Sequence, residues 1–281
     1  MKARSLVGKV AVVTGGARGI GRAISTTLAD AGVIVAVGDI DISDVTDAAY
    51  AARLDVADSG SVSKFFDDVE ARLGPIDILV NNAGIMPTGL IHEMDSLVTA
   101  RIVQVNLLGV INGISEAARR MRPRGHGHIV NMSSLTARLP GAGVATYCAS
   151  KAGVQAYCQA AAIELAGTGV DLSVVLPSLV KTELVAGISV RRGTPTCRPA
   201  DVAERVLEVL RKPRFEAYVP RSVAPVAFIH QLLPARARLM VARTFRADRM
   251  IEELDTSARV GYEERVREHL NPGREDGETR A

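Results

Sequence analysis

The sequence predicts a single doubly wound α/β domain, in which helices cover both faces of a mostly parallel β-sheet. Short apolar runs rich in β-branched residues alternate with longer segments of helical length. The first of these runs leads directly into a glycine-rich turn that opens a helix. The 281 residues, of which 47% are hydrophobic and 23% charged, exclude disordered, collagen-like and coiled-coil chains.

Six apolar runs are predicted to be buried parallel strands, because they are short, continuous and rich in β-branched residues. They cover residues 10–13, 33–37, 76–80, 128–131, 171–176 and 217–219. Helices are predicted between or after them, over residues 20–31, 59–73, 95–121, 147–167 and 199–212. Strand and helix therefore alternate, which is typical of a doubly wound sheet built from βαβ units.

The chain changes character near Arg221, which divides it into a sheet domain at 1–220 and a helical C-terminal extension at 221–281. Six arginines and one acidic residue occur between 221 and 249, and acidic residues dominate the next helical stretch. Residues 271–281 have the composition of a frayed tail. Apolar residues beside arginines in the extension fit a membrane-facing surface, a flap over a pocket or an oligomer contact.

Composition excludes several classes of function. The formal net charge of +3 gives no dense basic surface for nucleic acid, and the aromatic content of 4% gives few stacking groups. No apolar run approaches the roughly 18 residues of a membrane span, and the first residues do not form a signal-peptide core. The cysteines, Cys148, Cys158 and Cys197, suggest neither a disulfide framework nor a zinc site, so a cytoplasmic location is expected.

A glycine-rich loop, Thr14-Gly-Gly-Ala-Arg-Gly-Ile-Gly21, follows the first predicted strand. Gly15 permits a tight turn, Gly19 lets the backbone approach a pyrophosphate, and Gly21 allows the helix to pack closely on the strand. The N–H groups at the start of the helix attract the anion. Taken alone, the loop is also compatible with a purely structural turn.

The second predicted strand ends at Asp39, a little over twenty residues beyond the loop. A carboxylate at this position accepts hydrogen bonds from both hydroxyls of an adenosine ribose and repels a 2′-phosphate. Ile40 follows it in place of a basic residue, which favours NAD over NADP. Arg18 inside the loop is able to reach a phosphate, so NADP stays open as the alternative.

Tyr147 and Lys151 lie four residues apart on a predicted helix and therefore share one of its faces. The spacing is only suggestive by itself, because such pairs also arise by chance. Ser134 lies thirteen residues before the tyrosine, just after the strand predicted at 128–131. A phenol, an ammonium group and a hydroxyl brought together in this way are able to move a proton.

These motifs together resemble the classical short-chain dehydrogenases/reductases, a family with a Rossmann-like fold. The resemblance extends from about residue 9 to about residue 219, and the motifs occur in the family's order. They are Thr14-Gly-x-x-x-Gly-x-Gly21, Asp39, Asp55-Val56, Asn81-Asn-Ala-Gly84, Asn106, Ser134, Tyr147-x-x-x-Lys151 and Pro177-x-x-Val-x-Thr182. The resemblance implies an NAD-dependent oxidoreductase that interconverts a secondary alcohol and its ketone.

The resemblance also implies a role for each catalytic residue. Tyr147 is the general acid/base, and Lys151 stabilises its phenolate and binds the nicotinamide ribose. Ser134 hydrogen-bonds the substrate oxygen, and Asn106 holds a water in the proton relay. The cofactor-binding residues that it implies are Thr14, Gly15, Arg18, Gly19, Ile20, Gly21, Asp39, Asp55, Val56, Asn82, Ala83, Gly84, Tyr147, Lys151, Pro177, Val180 and Thr182.

The chain departs from the family after the strand at 171–176, where Leu176-Pro-Ser178 stands in place of the usual Asn-Pro-Gly. The backbone near the nicotinamide is therefore expected to differ slightly. His126 and His128 flank Gly127, but the other histidines have no ligand-like spacing to them, so no metal is expected. Cys148 is expected to be a buried structural thiol.

A lipophilic substrate of steroid, retinoid or fatty type is predicted from the apolar residues expected around the pocket. These are Ile85, Met86, Leu135, Leu139, Leu179, Leu184 and Val185. Residues 183–199 have the length and composition of a mobile lid. Arg191 and Arg192 in this lid suit either an anionic substrate group or a solvated surface.

Two other functions stay open. One is an NADPH-dependent carbonyl or 3-oxoacyl-carrier reductase, and the other is a non-catalytic nucleotide-binding regulatory protein on the same fold. The family resemblance implies a homodimer or homotetramer, paired through the Tyr147 helix and the helix before it. Membrane association is possible but not favoured, and nucleic acid is not an expected partner.

Overall fold

The computed structural model describes residues 3–188, 195–244, 255 and 257–268, and a seven-stranded parallel sheet forms its centre. The described strands are β1 (Val10–Thr14), β2 (Ile34–Asp39), β3 (Tyr50–Arg53), β4 (Ile76–Asn81), β5 (Gly127–Met132), β6 (Val170–Pro177), β7 (Leu179–Val180), β8 (Thr196–Cys197) and β9 (Glu216–Val219). The sheet order is β3-β2-β1-β4-β5-β6-β9, and β7 pairs with β8 separately. The predicted doubly wound fold and its six strands are confirmed, with ends that shift by at most two residues.

Strand β1 shows why the sheet sequences are continuously apolar. Val10 and Val12 pack into the core on one face of the sheet, whereas Ala11 and Val13 pack into the core on the other. Side chains alternate between the two faces of a strand, so a strand covered on both faces needs apolar residues at every position.

Helices cover both faces of the sheet. They are α1 (Gly19–Asp30), α2 (Ser59–Leu73), α3 (Ser96–Val103), α4 (Gly109–Met121), α5 (Ala145–Glu164), α6 (Pro199–Arg211), α7 (Ala224–Leu232), α8 (Ala235–Thr244) and α9 (Val260–Glu268). Helices α1 and α6 pack together on one face, and α2, α4 and α5 lie on the other. The predicted helices are present, each with ends within three residues except for the break described next.

The helix predicted at 95–121 is divided by a π-helical turn at Gln104–Leu108. Single π-turns inside α-helices occur frequently at functional sites, and this one carries Asn106. By length and composition alone the helical stretch Ser96–Arg124 is apolar enough to cross a membrane, but 44% of its most apolar window is buried inside the fold. A single stretch of this kind is weak evidence for a membrane span.

Strand β3 was not predicted from the sequence. It is an edge strand of four residues, paired only with β2, and its residues are partly exposed. Two of the four are alanines, which have low β propensity. Its position in the sheet depends on β2 rather than on its own pattern.

The order of the strands creates a crevice above β1 and β4. The chain runs from β1 outward to β2 and β3, then returns across β1 to β4 and continues in the opposite direction. In open parallel sheets, ligands bind at the carboxyl ends of the strands where the order reverses. The loops after β1 and β4 therefore mark the expected site. The predicted tail at 271–281 lies outside the described residues.

Candidate active site

A cavity of about 870 Å³ lies over the crevice between β1 and β4. Most of the predicted site residues line it: Gly15, Arg18, Gly19, Ile20, Gly21, Asp39, Asp55, Val56, Asn82, Ala83, Gly84, Ser134, Tyr147, Lys151, Pro177, Val180 and Thr182. The structure thus brings together residues separated by up to 167 positions (182 minus 15). Thr14 and Asn106 are not among the lining residues, and both support the wall from behind.

The glycine-rich loop is shaped so tightly that side chains do not fit at two of its positions. A Cβ at Gly21 would lie 2.0 Å from the carbonyl oxygen of Gly15, and a Cβ at Gly15 would lie 2.7 Å from Cα of Ala83. Gly15 also has a φ of +61°, which favours glycine. Arg18 makes no side-chain cap at the start of α1, and the first turn has no acidic residue, so an anion meets N–H groups and no carboxylate there.

Thr14 fastens the loop to the end of β4. Its hydroxyl oxygen accepts hydrogen bonds from the N–H groups of Asn82 at 3.0 Å and Ala83 at 3.1 Å. The amide of Asn82 in turn donates to the carbonyls of Thr14 and Gly15. Thr14 and Asn82 thus hold the loop in place, whichever of them also contacts a ligand.

Asp39 and Arg18 both line the cavity, and hydrogen bonds join the segments that carry them. One carboxylate oxygen of Asp39 accepts a hydrogen bond from the N–H of Ala17 at 3.0 Å, which leaves further acceptor sites on the same group. The guanidinium of Arg18 donates to the carboxylate of Asp41 at 3.0 Å. Hydrogen bonds from Ser43 lower the pKa of Asp41 below its usual value, so this carboxylate stays ionised.

Asp41 is a site residue that the motif analysis missed, although it also lines the cavity. It lies two residues beyond Asp39, and its relevance depends on where the Arg18 side chain extends. Arg101 was also missed, because its relevance depends on a contact with a residue far away in the chain. It donates to the carboxylate of Asp55 at 2.9 Å and also lines the cavity.

Tyr147 and Ser134 face the cavity from the start of α5 and the end of β5. Tyr147 is buried, and burial raises the pKa of its phenol above the usual value, while a hydrogen bond with Ser134 lowers it in part. The hydroxyl oxygen of Ser134 accepts hydrogen bonds from the N–H and the hydroxyl of Thr136, at 3.1 and 2.9 Å. Thr136 thereby fixes the orientation of Ser134.

Lys151 lies one helical turn beyond Tyr147, as predicted. Its Nζ atom lies 5.8 Å from the centroid of the Tyr147 ring and donates to the carbonyl of Met132 at 2.9 Å. Burial lowers the pKa of Lys151 to about 8. The ammonium group is thus held beside the phenol by the end of β5.

Asn106 is fully buried within the π-turn, and its amide is paired with the backbone of Ile85. The Ile85 N–H donates to Oδ1, and Nδ2 donates to the Ile85 carbonyl, each at 2.8 Å. A further bond from Nδ2 reaches the hydroxyl of Ser150 at 3.2 Å. Asn106 also lies close to Gly84, where an added Cβ would be 3.2 Å from its Oδ1 and 3.5 Å from Nζ of Lys151.

The apolar residues predicted around the pocket also line the cavity. Ile85, Met86, Leu135, Leu139, Leu179, Leu184 and Val185 all contribute to its wall. Arg191 and Arg192, which belong to the predicted lid, lie outside the described residues. Thr182, just before the predicted lid, approaches the glycine-rich loop, with its methyl group 3.6 Å from a Cβ built on Gly19.

The two histidines near β5 do not form a common site. His128 is buried and bonded to the hydroxyl of Ser173 at 2.9 Å, and burial lowers its pKa to about 4. His126 is exposed and lies 3.5 Å from Asp77. Cys148 is buried, and burial raises the pKa of its thiol, which makes it a poor nucleophile.

Helix α9 supplies a wall of the cavity that the motif analysis did not anticipate. Tyr262 lines the cavity, and its hydroxyl oxygen accepts a hydrogen bond from the N–H of Met86 at 2.6 Å. Arg259 is completely buried beside it. No motif marks these residues, and they are more than 170 positions away from Met86 in the chain.

A family model described as short chain dehydrogenase matches residues 9–192. The chain belongs to the short-chain dehydrogenase/reductase family. It is accordingly an oxidoreductase that acts on CH–OH donors. This assignment agrees with the order and geometry of Ser134, Tyr147 and Lys151 in the cavity.

Relatives of this short-chain dehydrogenase/reductase are named for different substrates. The chain is 37% identical over 232 residues to a cis-4-hydroxycyclohexanecarboxylate dehydrogenase of Sinomonas cyclohexanicum, covering 79% of this chain and 88% of the relative. It is 35% identical over 189 residues to the 3-oxoacyl-acyl-carrier-protein reductase FabG of Escherichia coli strain K12, covering 65% and 78% of the two chains. These names indicate different substrates on a shared scaffold.

A solved structure shares the fold. It is a short-chain dehydrogenase/reductase from Burkholderia phymatum in complex with NAD, with a TM-score of 0.74 and 24% identity. The match covers 81% of this chain and 94% of that one. The Rossmann-like architecture is thus common to both proteins.

Proposed function

We propose that this protein catalyses reversible, NAD-linked hydride transfer at the carbinol carbon of a lipophilic secondary alcohol. One observation supports the proposal: Tyr147, Lys151 and Ser134 line the same cavity as the glycine-rich loop and Asp39. A proton-transfer group and a nucleotide cradle in one cavity are the two parts that such a reaction requires.

The glycine-rich loop and the acidic residues that line the cavity with it fit a dinucleotide. The loop is so close to the turn after β4 that only glycine fits at positions 15 and 21, and the start of α1 presents N–H groups to a phosphate. Asp39 would accept hydrogen bonds from the adenosine ribose, and Asp55 and Val56 would contact the adenine. When bound, the nicotinamide accepts or supplies the hydride.

NAD is proposed over NADP because of the charges around Asp39. Its carboxylate lines the cavity, and Arg18 donates to Asp41 instead of extending freely into that space. A 2′-phosphate would therefore face two carboxylates and a cation already paired with one of them. The NADPH-dependent reductase is the alternative, and the relative named as a 3-oxoacyl-carrier reductase keeps it open.

Tyr147 would move the proton on the substrate oxygen. In ketone reduction the neutral phenol donates this proton, and the raised pKa of the buried phenol keeps it protonated at neutral pH. In alcohol oxidation the phenolate must accept it, and the nearby Lys151 ammonium supplies the stabilising charge. Ser134 would hold the substrate oxygen beside Tyr147, since it lines the cavity and Thr136 fixes its hydroxyl.

Asn106 has a supporting role in this proposal. Its amide fixes Ile85, whose side chain lines the cavity, and it lies beside Lys151 and Gly84. A water held by Asn106 in a proton relay remains a prediction from the family resemblance. A lipophilic substrate is supported by the aliphatic wall of the cavity, and the relative named for a ring alcohol supports a secondary alcohol.

Cofactor titration and one pair of variants test the proposal. We expect fluorescence titration to show tighter binding of NADH than of NADPH, and hydrophobic secondary alcohols to reduce NAD in an assay at about 340 nm. Tyr147→Phe should lower turnover at least a hundredfold without changing NADH affinity. Tyr157→Phe, on the same helix but outside the cavity, is the control. Substantial turnover by Tyr147→Phe would contradict the proposed mechanism.

We also propose that the enzyme forms homodimers or homotetramers through α4 and α5. Ile163 near the end of α5 is 78% exposed and Leu108 just before α4 is 44% exposed, which suits an apolar contact between copies. Light scattering after size-exclusion chromatography measures the subunit number, and a monomer would contradict this proposal. We further propose a cytoplasmic location, and a boundary at residue 220 between the sheet domain and the C-terminal extension.

A further inference from the structure

Helix α9 lines the cavity through Tyr262, Arg265, Val266 and Glu268, although the family match ends at residue 192. We propose that Tyr262 on this helix determines specificity by donating a hydrogen bond to a second oxygen of the substrate, and that Arg259 is the positioning residue that holds it there. This inference rests on the proposed function, because it concerns the alcohol bound beside Tyr147.

The hydroxyl of Tyr262 is fixed and has a proton to donate. It accepts a hydrogen bond from the N–H of Met86 at 2.6 Å, and among the described residues its own O–H has no acceptor. Burial raises the pKa of Tyr262 to about 12, so the phenol is a donor throughout the physiological range. Tyr262 and Tyr147 line the same cavity.

Arg259 fixes the position of Tyr262 by bonding to two other segments, the lid and the segment after β4. Its guanidinium donates to the carbonyls of Leu184 and Ala186 on the lid, at 3.1 and 3.0 Å. The same group donates to the carbonyl of Met86 at 2.7 Å, the residue whose N–H is bonded to Tyr262. The central carbon of the guanidinium lies 5.1 Å from the Tyr262 ring centroid, within cation–π range.

The charge of the buried Arg259 is offset within α9. Its Nε atom donates to the carboxylate of Glu263 at 3.2 Å, and the same carboxylate oxygen accepts from the hydroxyl of Thr88 at 3.2 Å. A buried cation with a carboxylate partner and three carbonyl acceptors is satisfied, so it holds one geometry. Arg259 and Glu263 therefore act as a fixed brace between α9 and the segment after β4.

The backbone of the lid also meets the turn before α9. The N–H of Asp255 donates to the carbonyl of Gly187 at 2.9 Å. A Cβ on Gly187 would lie 2.2 Å from the carbonyl oxygen of Asp255, so the two segments touch with no room for a side chain. The described part of the lid, the turn and α9 thus form one continuous wall.

The chemistry of this wall defines the class of substrate. Aliphatic side chains line the same cavity as Tyr262, among them Ile85, Met86, Leu184 and Val185. Arg265 and Glu183 at the edge of the cavity pair with each other at 2.7 Å. The ligand is therefore a secondary alcohol with an apolar carbon skeleton and a second acceptor oxygen away from the reacting carbon.

Two probes that differ in this second oxygen test the inference. We would measure kcat/KM for cyclohexanol and for cis-4-hydroxycyclohexanecarboxylate in the wild type and in Tyr262→Phe. The wild type should prefer the carboxylate probe, and the variant should lose about tenfold in kcat/KM for it through KM. Cyclohexanol should change less than twofold, because it has no second oxygen. Tyr50→Phe in β3, outside the cavity, is the matched control.

The positioning role of Arg259 has its own readout. Arg259→Lys keeps the charge but loses the planar fork that reaches three carbonyls. We expect KM for the carboxylate probe to rise about tenfold with kcat changed less than threefold, and amides at 183–188 to exchange hydrogen faster. Arg221→Lys, on an exposed side chain, is the control. Unchanged exchange at the lid would overturn the role of Arg259.

The outcomes separate this inference from the proposed function. If Tyr262→Phe keeps the wild-type preference for the carboxylate probe, or if the wild type has none, the inference is wrong while the enzyme assignment stands. If neither probe is oxidised although NADH binds, the proposed function fails for this class of alcohol. Calorimetric titration of the carboxylate probe into the NADH complex then decides. Binding weakened about tenfold in Tyr262→Phe supports the inference, and equal or absent binding overturns it.

Discussion

Nζ of Lys151 donates to the backbone carbonyl of Met132 at 2.9 Å, and both residues are almost completely buried. Burial lowers the pKa of this ammonium from 10.5 to about 8, which corresponds to about 3 kcal/mol of unfavourable free energy in the charged form. The proposed reaction needs that charge beside Tyr147. The fold thus maintains a group that opposes its own stability.

Replacing Lys151 by Met should stabilise the protein at pH 7 and abolish turnover. The free energy of unfolding should rise by about 1–2 kcal/mol, since the buried charge is lost and the unpaired carbonyl of Met132 offsets part of the gain. Denaturant unfolding measures the difference, with the exposed Lys212→Met as control. A destabilised Lys151→Met variant would show that the buried ammonium does not lower the free energy of unfolding.

The same group gives the wild type a distinctive pH dependence of stability. The folded-state pKa of Lys151 lies below the unfolded one, so the unfolded chain binds more protons between about pH 8 and 10.5. This contribution therefore makes the free energy of unfolding rise with pH across that window. Lys151→Met should lack the rise, and identical slopes in the two proteins would contradict the low pKa.

Cofactor affinity should depend on pH through Lys151 in the opposite sense. The group would bind the nicotinamide ribose, and it loses its proton in the free protein near pH 8. NADH should bind more weakly as pH rises through about 8, by up to tenfold, in fluorescence titrations from about pH 6.5 to 9.5. Lys151→Arg stays charged and should show a flat profile. A flat wild-type profile would assign the affinity to other groups.

Asp39 and Asp41 should share control of cofactor choice. Asp39→Ala removes the carboxylate that opposes a 2′-phosphate, and we expect the ratio of NADPH to NADH affinity to rise at least tenfold. Asp41→Ala releases Arg18 from an exposed ion pair and should raise the ratio up to about fivefold. Asp44→Ala, in the same segment, makes an equal change in net charge. If all three variants behave alike, net charge and not Arg18 decides the ratio.

Gly187 and Gly167 form a matched pair for testing the lid contact. Their φ angles are +73° and +76°, so alanine costs about 1 kcal/mol of backbone strain at either position. Only at Gly187 does the new methyl meet another segment, at Asp255. Gly187→Ala should raise KM for the alcohol several-fold and speed proteolysis near the lid, whereas Gly167→Ala should lower only the unfolding free energy. Similar KM values in the two variants would refute the contact.

Much of the sheet and the glycine-rich loop can be predicted from local sequence. The apolar runs indicate strands that are buried on both faces, and Gly15 and Gly21 mark positions where no Cβ fits. These are constraints on one residue or one short segment. Periodicity and spacing therefore detect them without knowledge of the partner.

The parts that sequence analysis missed depend on partners far away in the chain. Strand β3 forms because β2 offers an edge, and Asp41 matters because the Arg18 side chain reaches it. Arg259 is buried because carbonyls from Met86, Leu184 and Ala186 meet its guanidinium. None of these contacts leaves a pattern within the segment itself.

The brace from Arg259 to the lid has a consequence for how this scaffold diversifies. The sheet and the nucleotide cradle are complete before residue 220, whereas one wall of the pocket arrives with a dozen residues near the chain's end. We therefore expect substitutions on the cavity-facing side of α9 to change the pocket wall while the sheet and the glycine-rich loop stay as they are.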